Sequence, residues 1–391
     1  MNARRYRLLT QLLSCPTAPF REQQVINYAQ FILHRAHIPH FSDPAGNLVI
    51  GCATPAAYRA LLRQPSKEPV RLFIAHMDHP GFHGVRWLSP RRLLVKWHGG
   101  SPVKHLRGSP VWLANDIGIV GEGRLTRATL LPSRHAIDSA EILLERPLPA
   151  TPAASLYGGF RFRAPVWRAG KRVYTQVADD LVGVFAVLAT TLTLYSGKRR
   201  VQPPFLGLLT RAEEVGFIGA IAHFDLDWRE HARRPVVAIS LETSRTLPNA
   251  LIGKGPVVRL GDRRTVFDPG YLHILSEIAE QELPGRHQRR VMDGGTCEAT
   301  AAIAWGLPAI GISVPLGNYH NQGFEGGPDC AGKDGPAPEF VHLDDIDGLL
   351  KLCRGLMQPS LPWAKPWKEP RRKLQMNLRR YVSLLKAGSS L

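Results

Sequence analysis

Residues 175–184 read TQVADDLVGV, and this stretch decides how the chain is read. Asp179 and Asp180 stand side by side, and Gly183 opens the smooth apolar run VFAVLATTLTLY. An adjacent acidic pair at the mouth of a buried helix is costly. Like charges repel, and each loses water on burial. The usual offset is a cation, and a divalent metal is the strongest one available. The rest of the chain is therefore a search for the other ligands.

Working outward, helical periodicity runs over residues 4–13, where Pro16 stops it, and again over 20–37. Residues 71–77, RLFIAHM, form a nearly all-apolar strand of the kind covered by helices on both faces. From about residue 85 to 167 helical periodicity fades. RLLVKW, PVWLA, IGIVG and GFRFRA are short β-like runs separated by Gly, Pro and Asn. Strand–helix alternation then returns: helix 183–195, strand 205–209, helix 215–223, strand 235–241, helices near 271–281 and 296–305, strand 309–314 and helix 343–357. The fold class is α/β, an open mixed sheet with helices on both faces, interrupted by an inserted small β-barrel-like domain. The expected division is a catalytic domain over 1–83 and 169–358, the insert over 84–168, and a basic tail over 359–391. The tail has four prolines and a run of Lys and Arg, which read as a linker with a basic amphipathic end. GKGP, from Gly253, lacks the spacing of a phosphate loop and reads as a turn.

Composition sets broad limits. Apolar residues make up 44% and charged residues 21% of 391, ordinary for a globular chain with a sizeable core. The net charge of +18 favours acidic partners, though a basic surface with one basic tail accounts for it better than a nucleic-acid site. Five scattered cysteines with no CxxC argue for a reducing compartment, so the expected location is cytoplasmic. No apolar run approaches the roughly 20 residues of a membrane span. The N-terminal LLTQLLSC imitates a lipoprotein signal ending at Cys15. Its apolar region is short and broken by Thr10 and Gln11, so an amphipathic first helix is expected.

Five stretches carry the chemistry: AHMDHPG with His76 and Asp78, the Asp179–Asp180 pair, RAEEVGF with Glu213 and Glu214, SLETS with Glu242, and PLGNYHN with His320. Each follows an expected strand, and the carboxyl ends of strands in an open α/β sheet are where ligands gather. Imidazoles and carboxylates suit a pair of zinc-class ions, with Co2+ or Mn2+ as alternatives. His76 and His320 would each cap one metal, Asp179 would bridge them, and Glu214 and Glu242 would complete one side each. Glu213 is left to take and return a proton in hydrolysis. Asp78, two residues past a ligand histidine, suits the fixing of that imidazole. Each piece alone is weak. A lone strand-end histidine is more often structural, and an EE pair at a helix start can simply complement the helix dipole.

In order, the chain carries AHMDHPGF, VADDLVG, EEVGFIGA, GKGP, GGTCEA and PLGNYHN. The sequence resembles the dinuclear metallo-aminopeptidases of the glutamyl and deblocking type, which form tetrahedral shells. Their corresponding motifs are AHMDEIGF-like, ALDDRxG, EEVGLRGA, GKGP, GTDA and a final His. The likeness runs from about Arg4 to Met357. It implies two metals, Asp179 as their bridge, Glu213 as base, oligomerisation through the insert, a cis peptide after Asp179, and a peptide substrate. Three departures stand out. Ser240 falls where the family has Asp, and Glu242, two residues on, is read as its replacement. The Arg after the acidic pair is Leu181, and the GTDA acid falls on Cys297 or Glu298. The functional reading is a metal-dependent aminopeptidase. Alternatives are a deacylase or desuccinylase on the same site, or a degenerate non-enzymatic nucleic-acid-binding homologue.

Overall fold

The computed structural model describes residues 1–148, 150–196 and 204–387, with side chains to 385. The last four residues of the expected tail lie outside the described residues. An eight-stranded mixed sheet forms the centre, in the order His40–Ser42, Leu48–Ile50, Phe205–Thr210, Val70–His76, Val236–Arg245, Ala309–Leu316, Val257–Asp262 and Gln288–Met292. The four middle strands, Phe205–Thr210 to Ala309–Leu316, run parallel and are buried along most of their length. This is why they read as continuous apolar runs rather than as alternating ones.

The helix Leu181–Ser196 is apolar all round because it is buried among the sheet and the helices Ala3–Leu13 and Leu343–Leu356. It begins two residues before Gly183. The peptide between Asp179 and Asp180 is cis. Helix Ile218–Phe224 starts three residues later than its periodicity predicts, because Gly216 and Phe217 take left-handed φ of 109° and 61°.

The insert is a closed six-stranded barrel running from Gly81–Ser89 to Tyr157–Phe160, with its own core around Phe82, Trp97, Ile142 and Phe160. A third, three-stranded sheet joins Val166–Ala169, Arg172–Thr175 and Glu339–His342. The acidic pair therefore does not follow a strand of the main sheet, as expected. It follows Arg172–Thr175, and the register Thr175 opposite Glu339 ties it to residues far along the chain.

Candidate metal centre and active site

All five stretches meet at the carboxyl ends of the parallel strands. The strand Val70–His76 delivers His76, whose Nε2 lies 3.5 Å from Asp179 Oδ1 and 3.9 Å from Glu213 Oε2. On the other side of the same carboxylate, Asp179 Oδ2 is 3.6 Å from His320 Nε2. His320 Nε2 in turn lies 3.1 Å from Glu214 Oε2. Asp179 thus presents one oxygen to each histidine. Glu242 lies within the strand Val236–Arg245 rather than after it, and its carboxylate is 3.9 Å from the Arg259 guanidinium.

Buried acids hold this arrangement in place. The Asp78 carboxylate accepts the amide of Glu213 at 2.9 Å and that of Glu214 at 3.1 Å. Its backbone carbonyl is nearer the His76 Nδ1, at 3.2 Å, than its carboxylate, at 3.6 Å. Asp78 therefore fastens the EE loop as much as the imidazole. Asp180 caps the helix start by accepting from the Gly183 amide at 3.1 Å, and it also accepts from Thr243 Oγ1 at 2.8 Å. Tyr319 stacks on His320 with centroids 3.7 Å apart.

The residues present fit divalent cations. Asp179 Oδ1, Glu214 Oε1 and Glu242 Oε1 are buried without a hydrogen-bond partner, a costly state for carboxylate oxygens unless a cation meets them. Ligand atoms of His76, Asp179 and Glu214 lie within 4.8 Å of one another, as do those of Glu213, Glu242 and Glu298. Glu242 thus groups with Glu213 and Glu298 in this geometry. The proton affinities tell the same story. Burial pushes Glu213 and Glu242 well above the usual carboxylate range, and neighbouring acids add to it. Burial works against a charged His320, yet Glu214 and Asp179 raise it to about 10. Burial likewise disfavours the Asp179 carboxylate, but His320 and His76 outweigh it and bring it to about 2.

Sequence reasoning missed several supports. Glu339 is fully buried and accepts the amides of Ala178, Asp179 and His320 at 2.7, 3.2 and 2.8 Å. Glu22 accepts the amide of Ala212 at 3.0 Å and pairs with Arg211, holding the base of the EE loop. Of the two positions the sequence left open for the GTDA acid, Glu298 is the one against the cluster: it groups with Glu213 and Glu242 and accepts from Thr210 Oγ1 at 2.6 Å. Arg259 is a buried cation beside Glu242 with no sequence signal beyond an arginine inside the apolar run PVVRL.

A family model for M42 glutamyl aminopeptidase matches residues 158–323, which include the acidic pair, the EE pair, Glu242 and His320. No curated protein matches the sequence. Among solved structures, an aminopeptidase from the archaeon Desulfurococcus kamchatkensis is 21% identical, with 93% of this chain and 98% of that one covered at a TM-score of 0.72. The TET aminopeptidase of a marine-sediment Thaumarchaeota archaeon is 18% identical over 94% and 100% at 0.72. The TET1 peptidase of Pyrococcus horikoshii, which assembles into a tetrahedron or a large octahedral shell, is 20% identical over 91% and 99% at 0.68. These structures share the fold, and the family match bears out the resemblance read from the motifs.

Proposed function

We propose that this chain, a relative of the glutamyl aminopeptidases, is a metal-dependent aminopeptidase that removes N-terminal residues from peptides. The observation that carries the reading is Asp179, with one carboxylate oxygen toward each of His76 and His320 and Glu213 alongside. His76, Asp179, Glu214 and His320 would hold divalent ions about the shared Asp179 carboxylate, and Glu242, beside Glu213 and Glu298, would complete the set, with zinc the best fit to these donors. Such ions polarise the scissile carbonyl and make water a stronger acid. Glu213 takes the proton of the attacking water and returns it to the leaving amine. Asp78 positions Glu213 through its amide, and Glu339 and Asp180 hold the two ends of the acidic turn.

The subunit of 43.3 kDa would work as a homo-oligomer, a dodecameric shell by analogy with its structural relatives. In support, the barrel exposes Val85, Ile117, Ile119 and Leu143 on its outer surface. A reducing, cytoplasmic location suits five cysteines that are all free. Among the described residues, no helix is long and apolar enough to cross a membrane.

The test is digestion of a library of free-amino and N-acetylated peptides, before and after chelation. Stepwise release of N-terminal residues from free-amino peptides only, lost on chelation and restored by Zn2+, Co2+ or Mn2+, is expected. Hydrolysis of N-acyl amino acids without peptide turnover would overturn the peptidase reading. Light scattering on the native particle checks the assembly.

A further inference from the structure

The chain does not end with the catalytic domain. Trp363 is buried against Tyr271, with the Arg71 guanidinium 5.1 Å from its ring. Trp367 stacks on His273 at 5.4 Å. Beyond this docked hinge, Lys368–Ala387 forms a 20-residue helix, and every described side chain from Arg371 to Leu385 is exposed.

The helix has two faces. Leu374, Leu378 and Tyr381 follow one another at helical spacing on one stripe, and Leu385 continues the same spacing. Their exposures of 68% for Leu374, 54% for Leu378 and 49% for Tyr381 are high for a coherent apolar stripe. At 3.6 residues per turn, Arg372, Arg379 and Arg380 fall on the far side, around the exposed Met376, while Lys368 and Lys373 stand between the two faces and Arg371 borders the apolar stripe. Seven Lys or Arg residues stand in this helix against the single acid Glu369.

We propose that this helix docks the protein on an anionic phospholipid surface. Its leucines and Tyr381 enter the headgroup–acyl boundary, and its basic face meets the lipid phosphates. An apolar stripe backed by Lys and Arg is the pattern of helices that lie in the membrane interface. Charge complementarity selects among occupants. A second copy of the helix would set seven cations against seven with one acid each, and no salt-bridge pattern would offset the repulsion. Single-stranded or duplex RNA would meet the basic face but leave the leucine stripe in water. The site of attachment is also suitable. Arg71 lies at the amino end of the strand that carries His76 at its other end, about 17 Å away at 3.3 Å per residue. A surface-bound helix therefore leaves the catalytic crevice open.

The experiment uses the full chain and a chain ending at Gln358, each sedimented with vesicles of phosphatidylcholine alone or mixed with phosphatidylglycerol. The full chain is expected to bind only the anionic vesicles, less as salt rises, and the shortened chain to stay in solution. Leu374→Ser with Leu378→Ser should lower partitioning by roughly 10-fold or more, since each leucine leaves an apolar contact. Unchanged peptide turnover in both variants verifies that the core is folded. Four outcomes would overturn the proposal: no binding by the full chain, equal binding by the shortened chain, an intact anionic affinity in the double-serine variant, or tail-dependent binding to RNA or to another copy without vesicle binding.

Discussion

Three substitutions separate the roles of the acids around the strand Val236–Arg245. This strand pairs in parallel with Val70–His76, and Ser240 sits opposite Ile74. Continuing the register two residues sets Glu242 level with His76. A strand rises about 3.3 Å per residue, so the Ser240 backbone lies about 6.6 Å below that level, beyond the reach of a short hydroxyl. The longer Glu242 stands at the strand end beside Glu213 and Glu298. Glu242→Gln removes an anionic ligand and should weaken one metal by roughly 10- to 100-fold or more, at least the cost of losing a supporting partner. Ser240→Ala should leave metal content unchanged. Glu213→Gln keeps the shape of the side chain and the hydrogen bond that the backbone amide of residue 213 donates to Asp78, so both metals should stay. It removes the base, so turnover should fall roughly 100- to 10,000-fold. Native mass spectrometry counts the metals, and a short free-amino peptide reports turnover. The reasoning fails if Glu213→Gln loses metal while Glu242→Gln retains both ions, or if Ser240→Ala empties a site.

Asp78→Asn exchanges one acceptor oxygen of the EE-loop clamp for a donor facing an amide. It should lower kcat by roughly 10- to 100-fold with the chain still folded, which steady-state kinetics with circular dichroism will check. Gly100, at the rim of the barrel, has no room for a side chain: a Cβ there would lie 2.1 Å from His320 Nδ1. Gly100→Ala should therefore displace His320 and weaken metal binding, and a metal titration that matches the native chain would refute this coupling between insert and site. Burial and the neighbouring His98 push His83 down to about 4, with its Nε2–H donating to the Pro19 carbonyl at 2.8 Å. The unfolded chain takes up this proton near pH 6.5, so the contribution is full above about 6.5 and is lost as pH falls toward 4. His83 is partly exposed, so the loss is on the order of 1–2 kcal/mol after screening. Urea midpoints of the native chain and His83→Gln should converge as the medium is acidified, and a constant gap would refute the assignment.

The parallel strands were legible because both faces are buried and their runs are apolar. The acids and histidines gathered at their ends were legible because a charge placed directly after such a run has to be met by something. Asp179 and Asp180 were found for the same reason, but their placement was not. The strand before them pairs with Glu339–His342, a contact made across some 160 residues that no local pattern encodes. Glu339 reads as a single acid in APEFVH, yet it receives three amides. The strands Val257–Asp262 and Gln288–Met292 were not expected. They lie at the sheet edge, and Arg259, Arg289 and Arg290 break their apolar pattern. The tail was read as a linker with a basic amphipathic end, and that end is a 20-residue helix whose prolines precede it or sit in its first turn. Pro370 is the third helical residue, where the amide has no partner within the helix anyway.

The net charge is the feature of this sequence most easily misread. A net charge of +18 suggests an acidic partner at the centre of the chain, and the centre is the opposite. Asp78, Asp179, Asp180, Glu213, Glu214, Glu242, Glu298 and Glu339 crowd one crevice, with His76, His79, His320 and Arg259 among the nearby basic groups. That interior favours cations: metal ions, and the protonated amine of a peptide N-terminus. The excess positive charge stands outside, most densely on the C-terminal helix. Exposed charges are screened over about 8–10 Å in physiological salt, whereas buried groups keep most of their field. The two charge systems can therefore act independently. A basic exterior can dwell on an acidic surface while an acidic crevice, at the far end of the sheet, binds and cleaves.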